Sequence, residues 1–451
     1  MMKRTSLVAA ALLFPCVAFA SDPAPLDLGM MPEPHVSQPT GPVKSAVVLL
    51  SDAAGWGAKE DGVAAELSQK GALVIGVDFP AYLAKLKADD GDCVYTISDI
   101  ESVTQQIERN MGVTTYRPPV IAGIGEGGAL ALAMAAQTPP ATVAATVAVD
   151  PLAGIPLAKE LCTPADKKLE GDRFVYALTE GALPDPVSVI FTKKADAAGR
   201  AHAETLKKDW PDVELADSDK EATAALTENL LPLVENPPSV EETLGLPLTI
   251  LETKPTMDTM AVIVSGDGGW RDIDAEVGAE LQKNGVPVVG LDSLHYFWTK
   301  LTPAQVGRDL ARIITHYRVE FGVKHVMLVG YSFGADVMPD AYDRLPAALK
   351  NDVSLISLMA MSGYADYEIS VMGIIGASDA SDGSAVMDAV AKIDPKKLQC
   401  IYGSDEEDDP CPTLADKGVE TIRIEGGHHF DEDYPALAQK LIASLKARTG
   451  K

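Results

Sequence analysis

The segment Gly330-Tyr331-Ser332-Phe333-Gly334 sets a serine between two glycines, after the apolar run 325–329 and before a helical pattern. A strand-to-helix turn of this composition lifts the hydroxyl clear of a sheet. The glycines permit the sharp bend and leave room for a carbonyl against the following helix N-terminus. Such a serine attacks a carbonyl carbon, and it needs a base to take its proton. Gly426-Gly427-His428-His429-Phe430 supplies imidazoles near the end of the chain, before a final helix expected over 434–447. His428, directly after the paired glycines, is the expected base, and His429 is the alternative. Between serine and histidine lies the acidic run Gly403-Ser404-Asp405-Glu406-Glu407-Asp408-Asp409. Glu406, three residues past the glycine that ends a strand, is the acid expected to orient the imidazole; Asp405 and Asp408 are the other candidates. Taken alone the pentapeptide describes a bare tight turn equally well. The order serine, acid, histidine favours chemistry.

A second glycine-rich loop, Ser265-Gly266-Asp267-Gly268-Gly269-Trp270, follows an earlier apolar strand pattern. Its backbone can turn amides toward a carbonyl oxygen, so the amides of Asp267 and Phe333 are the expected oxyanion donors, with Gly268 able to replace the first. A phosphate-binding loop would end in Gly-Lys-Ser or Gly-Lys-Thr, which is missing here. Trp270 reads as a packing residue.

These loops need a scaffold, and the sequence holds two copies of one. Ser51, Gly55, Trp56, Val63, Glu66, Leu67, Gly71, Gly76, Asp78 and Tyr82 recur 214 positions later, from Ser265 to Tyr296. A period of that size marks duplicated domains, not a solenoid, and it suits a chain of 451 residues. Each copy alternates short apolar strands with amphipathic helices, the pattern of a mainly parallel sheet flanked by helices, as in α/β-hydrolase-like domains. In the second copy strands are expected at 261–265, 286–291, 325–330, 353–360, 369–375, 399–402 and 420–424. The clearest helix runs over 303–321, with Val306, Leu310, Ile313, Ile314 and Tyr317 on one face. Residues 236–244, rich in proline and acids, read as a linker between domains at 21–235 and 245–451. In the first copy Gly125 stands at the elbow position, within Gly123-Ile124-Gly125-Glu126-Gly127, and residues 213–219 offer no histidine. The first domain is therefore expected to be catalytically inactive.

Lys3 and Arg4, the apolar stretch 7–19 and Ala18-Phe19-Ala20 have the layout of a cleavable secretory signal over residues 1–20. Its removal takes Cys16 away and leaves four cysteines, an even number suited to an oxidising compartment. Cys93 with Cys162, and Cys400 with Cys411, keep each bridge inside one domain. The net charge of −27, made more negative by the loss of Lys3 and Arg4, opposes binding to nucleic acid or to anionic membranes.

Together, the loop at 265–270, the elbow Gly330-Tyr331-Ser332-Phe333-Gly334-Ala335-Asp336 and the Gly-Gly-His-His-Phe ending resemble the VirJ/AcvB family of periplasmic virulence-associated proteins. The VirJ-like portion spans about residues 245–449, and the two-domain layout with a signal resembles the longer AcvB form. That resemblance implies a serine esterase that cleaves the aminoacyl ester of lysyl- or alanyl-phosphatidylglycerol at the periplasmic face of the inner membrane, with no metal or cofactor. Asp267 or Asp336 could then meet the substrate's α-ammonium group, although Asp336 reads more simply as a solvated residue on a helix surface. The alternatives are a periplasmic scaffold or secretion accessory whose first domain binds a protein partner, and a hydrolase of soluble esters or peptides.

Overall fold

The computed structural model describes residues 25–181, 183–237, 242–369 and 385–450. The expected signal at 1–20 and most of the expected strand at 369–375 lie outside them.

Runs rich in valine, isoleucine and leucine form the central strands, because a strand buried on both faces has no need of alternation. The first sheet uses β1 (His35–Ser37), β2 (Ser45–Leu50), β3 (Ala72–Val77), β4 (Pro119–Ile124), β5 (Ala145–Val149), β8 (Val187–Phe191) and β9 (Glu214–Asp217), in the order β1-β3-β2-β4-β5-β8-β9. A separate hairpin, β6 (Lys167–Glu170) with β7 (Arg173–Tyr176), stands between β5 and β8 in the chain. The second sheet uses β10 (Glu242–Thr243), β11 (Leu246–Leu251), β12 (Thr259–Val264), β13 (Val288–Leu291), β14 (His325–Tyr331), β15 (Val353–Met359), β16 (Leu398–Gly403) and β17 (Glu420–Ile424). Its order is β10-β11-β13-β12-β14-β15-β16-β17. The six strands from β3 to β9 in the first order thus correspond one by one to those from β13 to β17 in the second. In each sheet these six are parallel, and an antiparallel strand, β1 or β11, flanks the outer one. Two tandem α/β domains follow, with apolar clusters on both faces of each sheet.

The repeated tryptophans show why the motif recurs. A Cβ built on Gly76 would lie 2.1 Å from the Trp56 ring, and one on Gly290 would lie 2.1 Å from the ring of Trp270. Each indole lies flat on a glycine of the neighbouring strand, so both residue types are fixed together. Trp270 is a packing residue, as expected.

The helix expected over 303–321 runs from Pro303 to Glu320, with Phe321 as its C-cap. Thr302 and Gln305 cap its start reciprocally, and Val306, Leu310, Ile313, Ile314 and Tyr317 are all buried. Five such side chains at roughly 1.5–3 kcal/mol each, as an upper estimate, bind this helix to the sheet that carries the elbow. The disulfides are Cys93–Cys162 and Cys400–Cys411, the second closing the acidic loop after β16. Among the described residues no helix is long and apolar enough to cross a membrane.

One buried acid makes folding sensitive to pH. Asp185 is 5% exposed and accepts a 2.8 Å hydrogen bond from Thr146 Oγ1; burial pushes its carboxyl up to about 7. In the unfolded chain it titrates near 3.9. Between those values the folded protein keeps a proton that the unfolded chain has lost, so its stabilising effect is full at low pH and fades as pH rises toward 7. Asp185→Asn keeps the neutral shape and has no such proton. Its unfolding midpoint should match the wild type near pH 4 and exceed it by several degrees above pH 7. A difference that does not change with pH would contradict this account of Asp185.

Candidate active site

The elbow places Ser332 at φ 51° and ψ −119°, a left-handed conformation that costs a non-glycine residue energy and marks functional turns. Neighbouring backbone holds it there. Ser332 N donates to Met359 O at 2.9 Å, and the Ser332 carbonyl accepts from Ala335 N at 2.8 Å. The flanking glycines answer a steric demand: a Cβ on Gly334 would lie 2.0 Å from Val264 O, and one on Gly330 would lie 2.4 Å from Gly334 O.

His428 Nε2 stands 2.7 Å from Ser332 Oγ, and His428 Nδ1 stands 3.3 Å from Glu406 Oε2. With the proton on Nδ1, facing Glu406, the Nε2 lone pair faces the serine hydroxyl, the arrangement a general base needs. The acid and histidine loops are fitted to one another. Asp405 N donates to Gly426 O at 2.9 Å, Ser404 N donates to Ile424 O at 2.7 Å, and a Cβ on Gly403 would lie 2.2 Å from Gly427 O. Tyr331 Oη, beside the serine in sequence, donates to the His428 carbonyl at 3.2 Å. Both the histidine and the glutamate side chains are partly open to solvent.

The alternatives fall elsewhere. His429 Nδ1 is 3.5 Å from Tyr434 Oη, Asp405 is exposed and bonded to Ser404 Oγ at 2.8 Å, and Asp408 is exposed. A different acid of the same loop, Asp409, is buried. Its Oδ1 accepts from Cys411 N at 2.7 Å, and its carboxyl is pushed up to about 6 by burial, with Glu406 adding to the rise and His428 opposing it. Asp409 therefore ties the acidic loop to the disulfide behind it. Cys400, Asp409 and Cys411 also lie close enough together to suggest a metal site, but both sulfurs are spent in the bridge.

The loop at 265–270 lies against the serine: a Cβ on Gly266 would be 3.2 Å from the Tyr331 ring and 3.7 Å from Ser332 Cβ. Asp274, fully buried and pushed well above the usual carboxylate range by desolvation, accepts from Gly266 N at 3.1 Å and anchors the loop's start. Asp267, the next residue, is partly exposed. Phe333 is the first residue of the helix Phe333–Asp343, so its amide has no acceptor within that helix and points from its positive end. Ser332, His428 and Glu406 thus meet at the end of the sheet where the central parallel strands finish, with Phe333 and the 265–270 loop beside them.

Asp336 corrects an expectation. It is 4% exposed, not a solvated surface residue, and accepts from Ser362 Oγ at 2.6 Å and Gly363 N at 2.9 Å, with burial pushing it up to about 7. It ties the elbow helix to the loop after β15, and its carboxylate is committed to that role.

The first domain repeats this architecture with neither serine nor histidine at the matching positions. Gly125 has φ 58° and ψ −116°, close to the values of Ser332. A Cβ there would lie 2.4 Å from Asp52 Oδ1, and that same carboxylate accepts from Glu126 N at 3.1 Å. An acid thus fills the place where a substrate oxygen would meet the helix amide. Phe191 pairs with Asp217 as Gly403 pairs with Ile424. By that register Lys194 stands for Glu406 and Glu221 for His428, and the two form a 2.6 Å ion pair. The missing serine and histidine were legible in the sequence; the acid in the oxyanion position and the substituted pair were not.

No curated protein matches the chain. Among solved structures, Est1E from Butyrivibrio proteoclasticus with ferulic acid bound is similar at 14% identity and a TM-score of 0.33, over 45% of this chain and 94% of that one. Alpha/beta hydrolase domain-containing protein 10 from mouse is similar at 13% identity and 0.32, over 44% and 93%. MGS-MChE2, an alpha/beta hydrolase from a lagoon-sediment metagenome of Mar Chica, Morocco, is similar at 14% and 0.32, over 47% and 99%. Each likeness spans less than half of this chain. Residues 258–449, within the C-terminal domain, are similar to the family described as bacterial virulence protein (VirJ).

Proposed function

We propose that the protein is a periplasmic serine esterase that releases the amino acid from lysyl- or alanyl-phosphatidylglycerol. The observation that carries the reading is the 2.7 Å contact of His428 Nε2 with Ser332 Oγ, backed by Glu406 on the opposite ring nitrogen. In this mechanism Ser332 Oγ attacks the aminoacyl carbonyl carbon while His428 accepts the hydroxyl proton. The amides of Asp267 and Phe333 stabilise the oxyanion. His428 then returns the proton to the glycerol oxygen as phosphatidylglycerol leaves. Water, deprotonated by His428, opens the acyl-enzyme and frees the amino acid. With Asp336 committed beneath the elbow, Asp267 is the carboxylate left to meet the substrate's ammonium group. The two disulfides suit an oxidising compartment, in keeping with a periplasmic site of action.

The test is to offer the purified protein lysyl- and alanyl-phosphatidylglycerol in mixed micelles beside soluble aminoacyl esters, and to measure free amino acid. The lipid should be preferred in kcat/KM by about tenfold or more. Hydrolysis of soluble esters alone would remove the lipid substrate from this account, and hydrolysis of neither would remove the esterase.

A further inference from the structure

Arg271 ends the glycine-rich loop beside Ser332; Asp272 of its own domain lies 3.9 Å from its Nε, and its closer ion-pair partner comes from the other domain. Its Nη1 donates to Glu101 Oε1 at 3.1 Å, to Glu101 Oε2 at 3.2 Å and to Thr142 Oγ1 at 2.6 Å. Glu101 lies on the helix Thr96–Asn110 and Thr142 just ahead of β5, both in the first domain. The pair is largely shielded from water, with side-chain exposures of 21% and 13%. A guanidinium so placed is held far more firmly than a surface ion pair, since removing its partner strands a buried charge.

What the guanidinium touches on its other side gives the contact its meaning. A Cβ built on Gly268 would lie 2.7 Å from Arg271 Nη2 and 2.8 Å from Nε, so the guanidinium packs flat against the loop backbone. The loop is thereby braced at two points. Asp274 holds the Gly266 amide from within the second domain, and Arg271 backs Gly268 with a side chain fixed by the first. Between those points lies Asp267. By the repeat offset the first domain has Gly57 where Arg271 stands, so its own loop carries no such brace.

The surrounding interface is built to keep this registry. Trp298 Nε1 donates to Val113 O at 2.7 Å, Arg109 Nη1 donates to Trp298 O at 3.1 Å, and the Arg109 guanidinium lies 3.9 Å from the Trp298 ring centroid. Tyr116 of the first domain is fully buried, its ring 5.0 Å from that of Trp298. Two faces joined by buried aromatic rings and hydrogen bonds to the backbone form an extended contact, through which a residue of one domain reaches a loop of the other.

We infer that the inactive domain is a positioning element for the active one: Glu101 and Thr142 lock Arg271 against Gly268 and thereby fix the Asp267 amide beside Ser332. The inference rests on the esterase reading of Ser332. An oxyanion donor acts on the transition state and much less on the bound ester, so loosening it lowers kcat and leaves KM largely alone.

The experiment uses the full chain with Glu101→Gln, Glu101→Asp and Thr142→Val, a chromogenic ester, a boronic acid as tetrahedral analogue, and active-site titration with a fluorophosphonate. Glu101→Gln should lower kcat by about 10- to 100-fold with KM within about threefold, and should weaken the boronic acid in parallel with kcat. Thr142→Val, which keeps the ion pair, should lose about three- to tenfold, and Glu101→Asp should recover part of the rate. Kinetic constants are taken per titrated site. Values of kcat within about twofold of wild type for Glu101→Gln, or for Thr142→Val if the first variant does not fold, would overturn the inference. So would a loss that disappears on correction for titrated sites, because that marks a merely structural role. Wild-type protein inert to both ester and fluorophosphonate would instead defeat the esterase reading, and this inference with it.

Discussion

Ser332→Ala should lower ester hydrolysis by about 10⁴-fold or more, and should leave the fold intact. The loss is large because in the proposed mechanism every covalent step passes through this one oxygen. The residue that remains would be the catalysis that an oxyanion site and substrate binding give by themselves. The fold should survive because the conformation at φ 51° is imposed by surrounding backbone, and alanine bears it no worse than serine. An unfolding midpoint at or slightly above that of the wild type, measured beside kcat, would separate lost chemistry from lost structure. An active Ser332→Ala protein would place the nucleophile elsewhere.

His428→Ala and His429→Ala should part company sharply. The first should cost about 10⁴-fold in kcat, since the serine loses the imidazole placed to take its proton. The second should stay within about threefold, because His429 faces Tyr434 and not the nucleophile. Glu406→Gln should fall between them, near 10²-fold: its 3.3 Å contact is long and both groups are partly exposed, so water screens part of their interaction. Measuring kcat for all three on one ester tests the roles together. Equal losses at the two histidines would undo the assignment.

Much of this site could be read from the chain because its signals are local. The serine, its glycines and the preceding apolar run lie within about ten residues, and the order of acid and histidine follows from the strand order of the fold. Glu406 came from its distance to a strand end, which the pairing of β16 with β17 preserves. The helix at 303–320 was legible for the same reason, since its apolar positions repeat at the helical period. What escaped is what long-range packing decides. Asp336 sits one helical turn past the elbow, where an acid usually meets water, and nothing near it announces that Ser362 and Gly363 will cover it. β11 was not expected as a strand, for Leu246-Pro247-Leu248-Thr249-Ile250-Leu251 begins beside a proline and takes its place through pairing with β13. Asp52 filling the oxyanion position of the first domain depends on a residue distant in sequence from Gly125. Arg271 and Glu101 are 170 residues apart, and only the docking of the two domains joins them.

The most direct test of the central claim is the mass of the intact protein after exposure to a fluorophosphonate, followed by peptide mapping. Activation of one serine by His428 predicts a single adduct per chain on the peptide that holds Ser332. That adduct should be absent from Ser332→Ala, slowed by about 100-fold or more in His428→Ala, and formed at the wild-type rate in His429→Ala. An adduct that persists in Ser332→Ala, or one that forms at full speed without His428, would contradict it.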